Sequence, residues 1–356
     1  TQADESYGAW NNYKPPAWDP VRGRLYWISS GSPSDVVAKE IDPITGEFGG
    51  GVSTPYHGEF PVGNAIRVSK DGSEVLVNAQ RFFDADTLEI QEALPQEAED
   101  AIWLDDGGLI TIAETDDGET RLDHWDAARG LYNSQFVPGS PIRVFEAPTP
   151  GSYLVITQRA KRPGVATYVP TEDPDEDGAP NPQDSFPLDP AAAQDSDRDG
   201  HPDAWNPGMG PGDSTAGLAV DAYPLDSACW LSEHGTGGVC DIAGALPAYD
   251  PARVAMGTDD VVYLLSPENR RIYRWSVDEG RHLNPIVTGP DPTLMAYSEA
   301  THRLYVGYPG GSITQIELAS SVVEEPFTVV FWHLSGLATA NEFVLAADWT
   351  GSNGAH

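Results

Sequence analysis

Two short stretches of the chain have the residue types and spacing to hold a hard metal cation. The first carries Asp173, Asp175, Asp177, Gly178, Asn181 and Asp184, and the second Asp195, Asp197, Asp199, Gly200, Asp203 and Asn206. Both follow the order D-x-D-x-D-G-x-x-[ND]-x-x-[DN]. Calcium takes six to eight oxygens, and a loop of this kind offers carboxylates at its first, third and fifth positions, a backbone carbonyl at the seventh, and further oxygens at the ninth and twelfth. The seventh-position carbonyls belong to Ala179 and His201. The glycines hold the sixth position, where the chain must turn sharply. Asp and Asn replace the bidentate Glu of the helix-flanked loop, and no helical pattern borders either stretch, so neither reads as an EF-hand.

Charge supports the same chemistry. Residues 171–228 contain 14 Asp and Glu against the single Arg198, a net −13 of the chain's −35. Few apolar residues accompany them, so the segment buries too little surface to offset the entropy of ordering itself. Bound cations would relieve the repulsion and supply the missing folding energy. The expectation is an insert ordered with calcium and loose without it, the alternative being a solvated acidic linker.

The two loops resemble thrombospondin type 3 repeats, tandem aspartate loops that wind around calcium in secreted proteins. The phrases Asp184-Ser-Phe-Pro-Leu-Asp189 and Asp221-Ala-Tyr-Pro-Leu-Asp226 are similar to the spacers of bacterial versions of that repeat. The resemblance implies that Asp189 and Asp226 lend carboxylates to neighbouring ions. It implies two calcium ions, and three or four if Asp189, Asp213, Asp221 and Asp226 complete further shells.

The elements that must position these loops read as strands. One phrase, a short strand, a turn and a stronger apolar strand, recurs seven times, the strong strands starting at 25, 75, 109, 153, 262, 304 and 343. With the 58 insert residues removed, each copy averages about 43 residues, the length of a four-stranded propeller blade. With 36 Gly and 31 Pro in 356 residues, and no competing helical period, the fold class is all-β: a seven-bladed β-propeller with an irregular calcium-binding insert in blade four. Residues 1–170 hold blades one to four, 171–228 the insert, and 229–356 the remainder of the propeller, blades four to seven. The insert leaves after a third strand, on the face opposite the between-blade loops. The seventh copy stops early, and residues 6–13 can supply a strand that closes it.

A pI near 4.2 argues against nucleic acid and anionic membrane surfaces as partners, and no apolar run is long enough to span a membrane. The chain opens Thr1-Gln-Ala-Asp-Glu, as expected of a mature exported form. Cys229 and Cys240 bracket a glycine-rich turn; a disulfide there would add roughly 3 kcal/mol, the alternative being two unpaired thiols. Calcium loops and a bridge both place the protein outside the cytoplasm, secreted or at the cell surface.

Other chemistry has thinner support. The eight histidines show no HExxH spacing; His57 and His333 fall at blade entries near the channel mouth. Arg159, Lys161 and Arg162 form a basic cluster that could contact an anion or simply balance charge at a hairpin turn. Trp349 and Tyr308 could stack on a sugar or pack at strand ends. The leading reading is a secreted, non-catalytic recognition or scaffold propeller for polysaccharide or protein ligands. Its rivals are a propeller-fold polysaccharide lyase or hydrolase with a channel-mouth site, and one module of a longer surface protein.

Overall fold

The computed structural model describes residues 15–29, 35–56, 65–159, 161–170, 173, 175–179, 184–197, 199–225, 229–232, 235–236, 239–240, 247–319, 322–323, 327–328 and 334–348. The first sheet is β1 (Ala17–Asp19), β2 (Arg24–Ile28), β3 (Val36–Ile41) and β4 (Phe48–Ser53), paired in chain order. The second is β5 (Ile66–Val68), β6 (Glu74–Val77), β7 (Arg81–Asp84) and β8 (Ile90–Ala93). The third is β9 (Asp100–Trp103), β10 (Leu109–Glu114), β11 (Thr120–Trp125) and β12 (Leu131–Val137). The fourth has three strands, β13 (Ser140–Glu146), β14 (Tyr153–Arg159) and β15 (Arg162–Tyr168). After the insert comes a small hairpin, β16 (Gly235–Thr236) and β17 (Val239–Cys240). The fifth sheet is β18 (Arg253–Met256), β19 (Val261–Ser266), β20 (Arg271–Ser276) and β21 (Arg281–Val287). The sixth is β22 (Leu294–Ser298), β23 (Arg303–Gly307) and β24 (Ser312–Glu317), with β25 (Val322–Val323) and β26 (Phe327–Thr328) both paired to β24. A two-stranded sheet, β27 (Leu334–Ala340) and β28 (Phe343–Asp348), ends the series.

These sheets form a propeller because each is apolar on both faces. Strand β2 buries Leu25, Tyr26, Trp27 and Ile28 in succession, and β19 is buried along its whole length. A strand exposed on one face would alternate; a continuous apolar run marks one sandwiched between two neighbours. Leu25 and Trp27 pack with Ala338 and Leu345 of the terminal hairpin, whereas Tyr26 and Ile28 pack with Ile66 and Phe83 of the second sheet. The seams continue through Phe82 and Trp103, Ile112 and Val155, Ile156 and Tyr273, Leu265 and Val306, and Tyr305 and Leu337. The last seam joins the sixth sheet to the terminal hairpin, so the ring of contacts closes. Outer strands such as β8 and β12 face solvent and lose the apolar pattern.

Among the described residues six blades of three or more strands are built, not the seven expected. The seventh copy is the hairpin β27–β28, wedged between the sixth and first sheets. The physical reason is that the chain contributes only two described strands there, and residues 6–13, expected to add another, lie outside the described residues. Blade four shows three strands among the described residues against the four expected, the chain leaving for the insert after β15.

First strands of neighbouring sheets touch one another, as β1 does β5, β9 does β13 and β18 does β22, so they surround the axis. The third-to-fourth strand turns point the other way from the between-sheet connections. Asp42 and Asp84 open two of these turns, each Oδ1 accepting the amides two and three residues on. Some of the acidic excess is therefore turn chemistry.

Leu25 is fully buried in the seam that closes the ring. Leu25→Ala should destabilise the protein by about 2–5 kcal/mol, read as a lower urea midpoint with unchanged slope. A shift below a tenth of that size would mean the hairpin does not seal the ring.

Candidate metal centre in the insert

The two aspartate loops fold alike. In the first, Asp173 Oδ2 accepts the Gly178 amide at 3.1 Å, Asp175 Oδ1 accepts Asp177 N at 3.3 Å, and Asp177 Oδ1 accepts Ala179 N at 2.6 Å. In the second, Asp195 Oδ2 accepts Gly200 N at 2.9 Å, Asp197 Oδ1 accepts Asp199 N at 3.3 Å, and Asp199 Oδ1 accepts His201 N at 2.9 Å. One oxygen of each aspartate thus holds the backbone of its own loop. Gly178 and Gly200 take left-handed backbone, with φ of 91° and 89°, which side chains disfavour.

Within each triplet, Asp173, Asp175 and Asp177 or Asp195, Asp197 and Asp199, carboxylate oxygens lie within 4.8 Å of one another and could hold a metal ion. Asp184 joins the first group. Its Oδ1 accepts Phe186 N at 2.8 Å, while Oδ2 is buried with no hydrogen-bond partner, on a residue only 4% exposed. Asp173 Oδ1, Asp175 Oδ2 and Asp197 Oδ2 are buried without partners in the same way.

Electrostatics identifies what these oxygens face. Burial, and then the Asp175, Asp177 and Asp173 charges, push Asp184 up to about 8 against the opposing amide of Phe186. Burial followed by Asp195 and Asp221 pushes Asp197 up to about 8, and burial followed by Asp197, Asp195 and Asp221 pushes Asp199 up to about 9. Asp175 is raised too, by burial first. An unpaired buried carboxylate costs several kcal/mol or takes a proton. A divalent cation would remove both penalties.

Other residues singled out by spacing have different roles. Asp203, at the ninth position, spends both oxygens on Ser196, at 2.9 Å from N and 2.6 Å from Oγ. Asn206 does not turn onto its own triplet; its amide reaches Asp177 Oδ2 at 2.5 Å and Pro190 O at 3.1 Å, tying the second loop to the first. Asp221 lies near the second triplet, where its charge raises Asp197 and Asp199. Asp189, expected to serve a neighbouring ion, is engaged by Ala191 N, Ser214 Oγ and Ala216 N. Burial opposes its charge, but those bonds outweigh it and hold its pKa below the ordinary value. Asp213 closes its own turn on Gly210 N. The Ala179 and His201 amides are anchored as above, and the His201 ring stacks on Trp230 at 4.0 Å. Asn181 and Asp226 lie outside the described residues.

The second loop rests against the fifth sheet. A side chain at Gly200 would overlap Gly280 O and the Trp275 ring, in the turn between β20 and β21. Insert and rim enclose a cleft of about 1650 Å³, lined by Tyr132 and Phe136 of β12, Tyr168 of β15, and Phe186 and Leu188 of the insert. Cys229 is buried and is not a free thiol, while the Cys240 side chain lies outside the described residues.

Away from the insert, Lys161 of the basic cluster pairs with Asp250 at 3.1 Å, as charge balance at a hairpin turn requires. Tyr308 is buried and bonds Gly289 N at 3.1 Å, so it packs at a strand end. His57, His333 and Trp349 lie outside the described residues. No helix among the described residues is long and apolar enough to cross a membrane. No family model matches the chain, and no curated protein matches it in sequence.

The raised carboxyls give a signed pH dependence. Folded metal-free protein holds more protons than unfolded chain from about pH 4, the ordinary Asp value, up to the folded values near 8 and 9. That stabilisation is complete at acid pH and lost as pH rises through the folded values. Chelator-treated protein should therefore unfold its insert at a higher temperature at pH 5 than at pH 8.5, followed by tryptophan fluorescence. The reverse order would contradict the electrostatic assignment.

Proposed function

We propose that the insert binds two calcium ions, one per aspartate loop, and that the chain is an exported propeller protein acting in recognition or as a scaffold, with calcium structural. The observation that carries the calcium reading is Asp184 Oδ2: a carboxylate oxygen on a residue 4% exposed, lacking any hydrogen-bond donor and set against three further carboxylates. The first ion would be held by Asp173, Asp175, Asp177 and Asp184, and the second by Asp195, Asp197, Asp199 and Asp221. All-oxygen donors, mostly carboxylate, on irregular backbone suit calcium better than zinc, which favours nitrogen and sulfur, or magnesium, which keeps its waters.

The two matching hydrogen-bond sets support a tandem repeat of the thrombospondin type 3 kind, with Asn206 as the clasp between copies. The insert meets the ring at the β20–β21 turn, on the side away from the between-sheet connections, which favours bracing over catalysis. The ring then serves as the part that meets a polysaccharide or protein ligand. Export agrees with calcium at extracellular concentrations and with a Cys229–Cys240 bridge, which would close the segment returning to the ring. In the same reading, residues 6–13 add a strand to β27–β28 and complete a seventh blade.

Calorimetric titration of chelator-stripped protein with calcium tests the proposal, with Asp184→Asn and Asp197→Asn beside wild type. At least two ions should bind, and each substitution should remove one of them or weaken it tenfold or more. Absence of binding heat in the wild type, or full stoichiometry and affinity in both variants, would return the insert to an acidic linker.

A further inference from the structure

At the opposite end of the ring, four innermost strands in succession place charged groups together. Arg67 lies on β5, Asp100 on β9, Arg143 on β13 and Arg253 on β18. Asp100 and Arg253 open their strands, directly after between-sheet connections, so the group stands towards the mouth of the axial channel where those connections gather. Asp100 is 1% exposed and is the hub: Arg67 Nη2 bonds its Oδ1, and Val144 N bonds its Oδ2 at 3.0 Å. Arg67 is otherwise committed, with Nε on Ala101 O at 3.0 Å and Nη1 on Ile66 O at 2.8 Å. Arg253 is anchored through Nη1 to Ala252 O at 2.7 Å.

Arg143 is different. Its nearest carboxylate oxygen, Asp100 Oδ2, is 3.7 Å from Nε, too far for a hydrogen bond. Nε is buried without a partner, and the guanidinium donates to no acceptor among the described residues. A bulge between Pro141 and Arg143 breaks the register of β13 with β14, and bulges of this kind re-aim a side chain. The side chain lies with its guanidinium carbon 5.8 Å from the Phe145 ring and is 23% exposed. Burial first, then repulsion from Arg67, push its pKa down to about 10, with Arg253 repelling as well and Asp100 opposing.

Among the described residues this group holds three guanidiniums and one carboxylate, in a chain where Asp and Glu outnumber Lys and Arg by 55 to 20. Partly buried positive charge with unused donors needs an anion. A planar guanidinium fork matches a carboxylate in two-pronged fashion.

We infer that Arg143 binds an oxyanion of a small ligand, a carboxylate in the first instance, at the channel mouth. The site is separate from the insert and rests on none of its metal chemistry. Asp100 is a positioning residue: it holds Arg67 and, through Val144 N, the β13 backbone beside Arg143.

The test uses calcium-loaded full chain, titrated calorimetrically with sodium acetate, sodium glucuronate and sodium sulfate at constant ionic strength. One saturable equivalent should appear with acetate or glucuronate, and Arg143→Gln should weaken it tenfold or more. Arg159→Gln, at the β14–β15 turn, should leave it unchanged. Saturation by sulfate alone would overturn the carboxylate preference. No saturable binding of any probe, or equal binding by Arg143→Gln, would overturn the site itself. If the Gln variant fails to fold, Arg143→Lys retains the charge and loses the fork; carboxylate affinity equal to wild type in that variant would be equally fatal.

Discussion

Carboxylate repulsion is the constraint on which the insert depends. Two triplets of aspartates have their oxygens drawn within 4.8 Å, and the buried neighbours Asp184 and Asp221 add to the charge. The backbone enforces this arrangement, because one oxygen of each triplet residue is tied to a backbone amide of its own loop. Such a geometry stores unfavourable energy unless protons or cations neutralise it. The proposed calcium ions therefore act on the folding equilibrium of the insert itself, in addition to occupying a surface.

The ring has a different source of stability. Every junction between neighbouring sheets is filled by apolar side chains, including the one where the terminal hairpin meets the first sheet. Hydrophobic burial of this kind does not depend on bound ions. The two parts meet where Gly200 lies against Trp275 and Gly280, a contact available only to a residue without a side chain. That contact lets an ordered insert lean on the ring while the ring needs nothing from the insert to close.

Much of this was legible in the sequence, for a physical reason. Strands sandwiched on both faces are written as unbroken apolar runs, so Leu25–Ile28 and Val262–Leu265 stood out, and all seven strong strands are present within a residue of their expected starts. The aspartate loops were legible because their hydrogen bonds span at most five residues. Contacts made between distant segments were not: nothing local shows that Asn206 reaches Asp177 or that Asp221 approaches Asp197. The same holds for Arg67, Asp100 and Arg143, single residues on three separate strands, one of them re-aimed by a bulge. The incomplete seventh blade was visible as a short copy, but its wedging between two neighbours is a property of the closed ring.

Hydrogen exchange of the whole chain, resolved by peptide and compared with and without calcium, tests the central claim most directly. The account predicts that calcium strongly protects peptides across 173–225 while leaving those of β10, β14 and β19 unchanged. Equal exchange in the insert under both conditions would contradict a role for cations in ordering it. Loss of protection throughout the ring on chelation would contradict the separation of the two parts.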